Sequence, residues 1–284
     1  MASAGSLTNE DFIFQAKLDS VGTIATLLKS VAFTDRVNVF ISDNGMKFTV
    51  EEGKNVQAYV LMHKQVFQEF ELTVDEAAFR IPLKELLEFL KIFCSDGKGI
   101  DMSMNLANTS IKLKYAKYGS PFEILLDENG IQTEIRLKTE DVEDLMEIEI
   151  DPVDCKIGLN GAGFYEVIQE IDRVGMETVN IEILAGPKDI LFSGHTSTGS
   201  VLATFSSTSS VIEYFECGQV ESAASYRLAS LKYAFRAMQI VDKFILKMNR
   251  EGVLSLSFLL TQSDSFVEFL FIPTLVNDEP VGVD

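Results

Sequence analysis

Phe79-Arg80-Ile81-Pro82-Leu83-Lys84-Glu85-Leu86-Leu87-Glu88-Phe89-Leu90 is echoed later in the chain by Tyr226-Arg227-Leu228-Ala229-Ser230-Leu231-Lys232-Tyr233-Ala234-Phe235-Arg236-Ala237-Met238. Each stretch is a short apolar strand running into a segment with apolar residues at helical spacing. In the first these are Leu83, Leu86, Leu87 and Leu90, in the second Leu231, Ala234, Phe235 and Met238. Leu83 and Leu231 stand 148 residues apart, and a repeat of that length implies two copies of one structural unit. Two further helical segments fit the same scheme, one carrying Val21, Ile24, Ala25 and Leu28, the other Phe164, Val167, Ile168 and Ile171. Each half is therefore expected to hold two helices.

Nearly everything else alternates with period two. Val37, Val39 and Ile41 lead to Asp43-Asn44-Gly45 and then Phe48 and Val50; Phe122, Ile124 and Leu126 lead to Asn129-Gly130 and then Ile131, Thr133, Ile135 and Leu137. Apolar alternation on both sides of an Asn-Gly turn predicts hairpins. Further breaks fall at Gly53-Lys54-Asn55, Asp96-Gly97-Lys98-Gly99 and Gly186-Pro187. From Lys138 to Asp154 the chain turns acidic, with Glu140, Asp141, Glu143, Asp144, Glu147, Glu149, Asp151 and Asp154 in one run. The expected organisation is α+β: a first domain over 1–137, an acidic connector over 138–150, a second domain over 151–273 and a mobile acidic tail over 274–284.

With 24 Lys and Arg against 43 Asp and Glu, the 284-residue chain carries a net charge of −19. That balance repels a polyanion in the mean field, which excludes a protein that simply coats nucleic acid and confines any DNA contact to a local basic surface. Cys94, Cys155 and Cys217 are widely spaced, without a Cys-x-x-Cys motif, and an odd count points to buried thiols in a reducing compartment. No apolar run approaches the roughly 20 residues that span a bilayer, and Met1–Glu10 lacks the features of a leader, so a soluble intracellular protein is expected.

Two units of strand, helix and three strands per domain, repeated in tandem and joined by an acidic connector, resemble the sliding-clamp fold of the proliferating-cell nuclear antigen family. Within it, Phe67-Gln68-Glu69-Phe70, Phe79-Arg80-Ile81, Leu86-Leu87, Ile92-Phe93 and Asn44-Gly45-Met46-Lys47-Phe48-Thr49-Val50-Glu51 with Val56-Gln57-Ala58 resemble the Rad-one subunits of nine-one-one checkpoint clamps. The resemblance implies a heterotrimeric ring with sheets outside and four helices lining a hole for duplex DNA. It implies Rad-nine-like and Hus-one-like partner subunits, a clamp loader, a nuclear location and a role in DNA damage checkpoint signalling. A homotrimeric replicative clamp and a 3′–5′ exonuclease are the alternatives.

The polar helix faces carry Lys29 on the first helix, Lys84 and Lys91 on the second, and Lys232 and Arg236 on the fourth. These five are the candidate phosphate neighbours under the clamp resemblance, and solvated helix faces otherwise. The third helix presents Glu166, Gln169, Glu170 and Arg173, which weakens any basic lining. Phosphate contacts carry no sequence information, so sequence-independent association is expected. Ring closure, as the resemblance implies it, places subunit contacts on Phe122, Ile124 and Leu126 of one rim and Val201, Ala203 and Phe205 of the other. A client groove beneath the connector falls on Leu137, Leu145, Met146, Phe271 and Pro273, which are equally compatible with core.

Catalytic patterns are weak. A metal-dependent nuclease needs clustered carboxylates, and only Asp141/Glu143 and Glu147/Glu149 offer a suggestive spacing, in a segment expected to face water. His63 and His195 fall in different halves with no nucleophile motif, and Gly158-Leu159-Asn160-Gly161-Ala162-Gly163 lacks both the dinucleotide spacing and a phosphate-binding lysine. No enzyme activity, metal, cofactor or membrane association is expected.

Overall fold

The computed structural model describes residues 12–92, 109–128, 130–218, 222–260 and 264–274. Phe93, Cys94, the break at Asp96–Gly99, Asn129 and the tail beyond Thr274 lie outside the described residues.

The chain divides into two compact units. The first holds β1 (Phe14–Leu18), α1 (Val21–Ser30), β2 (Arg36–Ser42), β3 (Gly45–Glu52), β4 (Val56–His63), β5 (Glu69–Leu72), β6 (Glu76–Pro82), α2 (Leu83–Ile92), β7 (Ser110–Tyr115), β8 (Phe122–Glu128) and β9 (Ile131–Leu137). The second holds β10 (Cys155–Asn160), α3 (Gly161–Arg173), β11 (Thr178–Leu184), β12 (Asp189–Thr196), β13 (Gly199–Phe205), β14 (Ile212–Cys217), β15 (Ser222–Arg227), α4 (Leu228–Leu231), α5 (Phe235–Met238), β16 (Lys243–Met248), β17 (Leu254–Leu260) and β18 (Ser265–Phe271). Two short segments cross this division: the first unit includes Leu260–Val267, and the second includes Glu51–Gln57.

Strand order makes the duplication explicit. The first unit pairs its strands as β5-β1-β7-β8-β9 and β4-β3-β2-β6; the second repeats this as β14-β10-β16-β17-β18 and β13-β12-β11-β15. The hairpins stand where the turn residues place them, with Ser42 opposite Gly45 and Glu128 opposite Ile131. Gly45 has φ 135°, and a Cβ there would collide with the Met62 carbonyl, so glycine is required at this corner. Ser20 caps α1 by accepting the Gly22 N–H at 3.2 Å, and Asn160 caps α3 by accepting that of Ala162 at 3.0 Å.

The apolar stripes of α1, α2 and α3 are buried as the helical spacing predicts: Ile24, Leu28, Leu86, Leu90, Phe164 and Ile168 are each at most 2% exposed. Around them stand clusters of rings. Phe79 lies 4.3 Å from Tyr115 and 5.1 Å from Phe122, and Phe164 lies 5.6 Å from Phe192 and 5.4 Å from Phe244. Each such ring stabilises the fold by roughly 1.5–3 kcal/mol through area removed from water. The fourth helix differs from expectation. It is broken into α4, a 3₁₀ turn at Lys232–Ala234, and α5. Leu228, Leu231, Ala234, Ala237 and Met238 are nonetheless buried, and only Phe235 of the expected stripe is half-buried.

Candidate functional site

In each unit the helices pair with one another, α1 with α2 and α3 with α5, where Tyr165 meets Phe235 edge-on at 4.6 Å. This pairing leaves their polar faces outward. Lys84, Lys91, Lys232 and Arg236 are exposed and Lys29 is half-exposed. Three of these cations already have a carboxylate partner: Lys84 pairs with Asp35, Lys91 with Glu88, and Lys232 with Asp172 at 2.7 Å. The Lys84 ammonium holds the Asp35 carboxyl below the usual range, first through its hydrogen bond and then through its charge. Ion pairs this exposed contribute little to stability. Ser30, next to Lys29 on α1, is buried and donates its hydroxyl to the Leu27 carbonyl at 2.6 Å.

The rims differ from the residues expected to form them. β8 is flanked by β7 and β9, and Phe122, Ile124 and Leu126 are each 1% exposed. Placing subunit contacts on them is therefore corrected: they fill the core of an interior strand. The terminal strand is β9, whose Ile131 is 71% exposed. On the other rim, β13 is terminal; Val201 and Ala203 are half-buried, Phe205 is buried, and the intervening Leu202 is 65% exposed. By strand order β9 and β13 correspond to β18 and β4. Those two are not free, because Phe266 at the start of β18 packs on Tyr59 of β4 at 5.7 Å within the first unit.

Residues 138–150 run extended, outside any helix or named strand. Glu140 exchanges two backbone hydrogen bonds of 2.9 Å with Arg80, and the Asn38 amide donates to the Glu143 carbonyl at 2.7 Å and accepts its N–H at 3.3 Å. Ion pairs Arg36–Glu140 and Arg80–Glu143 add to this attachment. In the second unit, Met146 donates its N–H to Glu51 at 2.8 Å while Gln57 donates to its carbonyl at 3.0 Å. Of the expected groove residues, Leu137 and Phe271 are buried core, 3% and 1% exposed, which corrects their assignment. Leu145, Met146 and Pro273 are half-buried.

The repair-protein family Rad1/Rec1/Rad17 matches residues 13–260 of this chain. The chain belongs to the Rad1 family. Its relatives include the cell cycle checkpoint protein RAD1 of Homo sapiens, 29% identical over 270 residues with 93% of each chain covered. Another is the DNA damage checkpoint control protein rad1 of Schizosaccharomyces pombe, 25% identical over 280 residues with 92% of this chain and 86% of that one covered. Among solved structures, the proliferating cell nuclear antigen of Entamoeba histolytica superimposes with TM-score 0.74 at 18% identity, covering 93% of this chain and 99% of its own. That of Thermococcus kodakaraensis gives the same TM-score at 16% identity, covering 92% and 100%. Both establish the sliding-clamp fold for this Rad1-family chain. Family and fold together mark it as a DNA damage checkpoint clamp subunit.

Two features of this Rad1-family chain escaped the sequence. The ties from Arg36, Asn38, Glu51, Gln57 and Arg80 to the acidic segment carry no local signal. The thiol reading of Cys155 and Cys217 is also corrected: the two residues stand opposite each other on β10 and β14 and are joined as a disulfide. Among the described residues no group of three or more His, Cys, Asp or Glu is placed to hold a metal ion, and no helix is long and apolar enough to cross a membrane.

Proposed function

We propose that this chain is the Rad1-type subunit of a heterotrimeric ring that encircles duplex DNA in the nucleus, with Rad-nine-like and Hus-one-like neighbours and a clamp loader that opens the ring at damage. One observation carries the reading. In the duplicated fold the counterparts of β4 and β18 are β13 and β9, and these two are left as terminal strands. A terminal strand offers unpaired backbone groups to a neighbouring chain. Ile131 on β9 and Leu202 on β13 are exposed, so each unit carries one terminal strand suited to a neighbour.

The helix faces suit a ring that holds DNA by topology rather than by grip. Lys84, Lys91 and Lys232 are already paired with carboxylates, and phosphate contacts would be exchanged cheaply as the ring slides. Lys29, Lys84, Lys91, Lys232 and Arg236 are the residues proposed to approach the backbone of DNA. Leu145, Met146 and Pro273 are proposed to border a docking groove for client peptides. The subunit acts as a scaffold without chemistry of its own. The carboxylates that invited a nuclease reading serve structure in part, since Glu143 pairs with Arg80.

Mass measurement tests assembly. A one-to-one-to-one complex with the two partner subunits is expected, and Ile131→Asp or Leu202→Asp should each weaken it by about tenfold or more. A stable homotrimer of the chain alone would favour the replicative clamp, and a chain that stays monomeric with both partners present would remove the ring reading. Loaded complexes should persist on circular DNA and run off linear DNA with free ends. Mg²⁺-dependent degradation by highly purified protein, lost in Glu143→Gln, would restore the exonuclease.

A further inference from the structure

We propose that Cys155 and Cys217 form a reversible oxidation site, and that closing this disulfide fastens edge strand β14 onto the second unit. The register places the two residues directly opposite, with Cα atoms 4.1 Å apart. Gly218 donates its N–H to Asp154 at 2.9 Å one step outside them. The cysteines therefore occupy a non-hydrogen-bonded position, where antiparallel strands bring side chains closest. Cys155 is 1% exposed, whereas Cys217 is half-exposed and open to a small oxidant.

The corresponding place in the first unit shows what the pair replaces. There β1 meets edge strand β5 through Phe14 opposite Leu72, with Phe14 packed edge-on against Phe70 at 5.4 Å and Phe70 against Phe67 at 5.2 Å. Among the described residues no such ring cluster joins β14 to β10. Its residues are all half-exposed or exposed; besides the ladder to β10, Tyr214 lies across Gly158 and Lys243 pairs with Glu213 at 2.6 Å. In a reducing compartment a disulfide here would be transient and redox-sensing rather than permanent.

The chemistry balances with a small-molecule disulfide such as glutathione disulfide as oxidant. The Cys217 thiolate attacks one sulfur of that disulfide and expels a thiolate, giving a mixed disulfide. The Cys155 thiolate then attacks the Cys217 sulfur and expels the second thiolate. Two protons and two electrons leave the protein, and one glutathione disulfide becomes two glutathiones. The closed loop spans a sequence separation of 62 residues and includes α3 and β11 to β13.

The full chain is equilibrated with glutathione disulfide or with excess dithiothreitol, alkylated, and mapped without reduction. A peptide pair linked through Cys155 and Cys217, intact in Cys94→Ser and absent in Cys217→Ser, is the expected result. Oxidation should raise the melting temperature by about 10 °C. It should also slow amide exchange in residues 212–217 by about tenfold or more, and both gains should vanish in Cys155→Ser. Failure to recover the linked peptide overturns the proposal. A linked peptide that alters neither melting nor exchange overturns it as well.

Discussion

In the first unit, edge strand β5 is held against β1 by rings: Phe14, Phe70 and Phe67 form a chain of edge and tilted contacts with the Lys64 ammonium 5.6 Å above Phe70. In the second unit, the corresponding strand β14 meets β10 through a pair of cysteines. A second contrast lies on the repeated strand-to-helix step. Phe79 sits among rings with no polar atom to satisfy, whereas its counterpart Tyr226 donates its hydroxyl to the Gly252 carbonyl at 2.7 Å, and burial pushes that phenol far above its ordinary pKa. The topology is duplicated and the fastenings are not. Apolar packing holds its partner in any redox state; the cysteine pair does so only when oxidised, which makes one unit's edge conditional and the other's permanent.

The contrast is broken most severely by Phe14→Ala. Removing a fully buried ring from β1 should cost about 3–5 kcal/mol, because the lost transfer energy is joined by a cavity that the neighbouring strands cannot fill. Urea denaturation reads it, and an effect as small as that of an exposed substitution would show that β5 is held by its ladder alone. Tyr226→Phe sharpens the second contrast. It leaves the Gly252 carbonyl without its buried donor and should destabilise by roughly 1–3 kcal/mol in the same experiment. The smallest effect belongs to Lys84→Met. Asp35 has a lowered pKa in the folded chain, so its pairing with Lys84 is present above its ordinary titration range and is lost as pH falls through the folded value. With the ammonium removed, the Asp35 carboxyl followed by nuclear magnetic resonance should titrate near its ordinary value, and an unmoved midpoint would contradict the pairing.

Legibility followed the range of each interaction along the chain. The leucine stripe of α2 and the corner at Gly45 were evident because both are local: a stripe repeats within two turns, and a glycine at positive φ is fixed by its own backbone. The fourth helix was legible in its buried face, since Leu231, Ala234 and Met238 are all buried at helical spacing, but its interruption by a 3₁₀ turn at Lys232–Ala234 carries no signal in that spacing. β8 was mistaken for a rim because interior and terminal strands share the same alternation. What distinguishes them is a hydrogen-bonded neighbour, and Ile131 declares its exposure only when β9 is seen to have none on its far side. The ties on residues 138–150 were hidden for a similar reason, since Asn38 reaches Glu143 across 105 positions.

The sequence alone determined the duplicated strand-and-helix module, its hairpins and the acidic segment between the two halves, because periodicity and turn chemistry act between residues a few positions apart. Only the tertiary structure decided that β9 and β13 end their sheets, that Lys232 is answered by Asp172, and that Cys155 faces Cys217. Each of these depends on residues brought together from distant parts of the chain, where the decisive quantity is register across strands and helices rather than spacing along them.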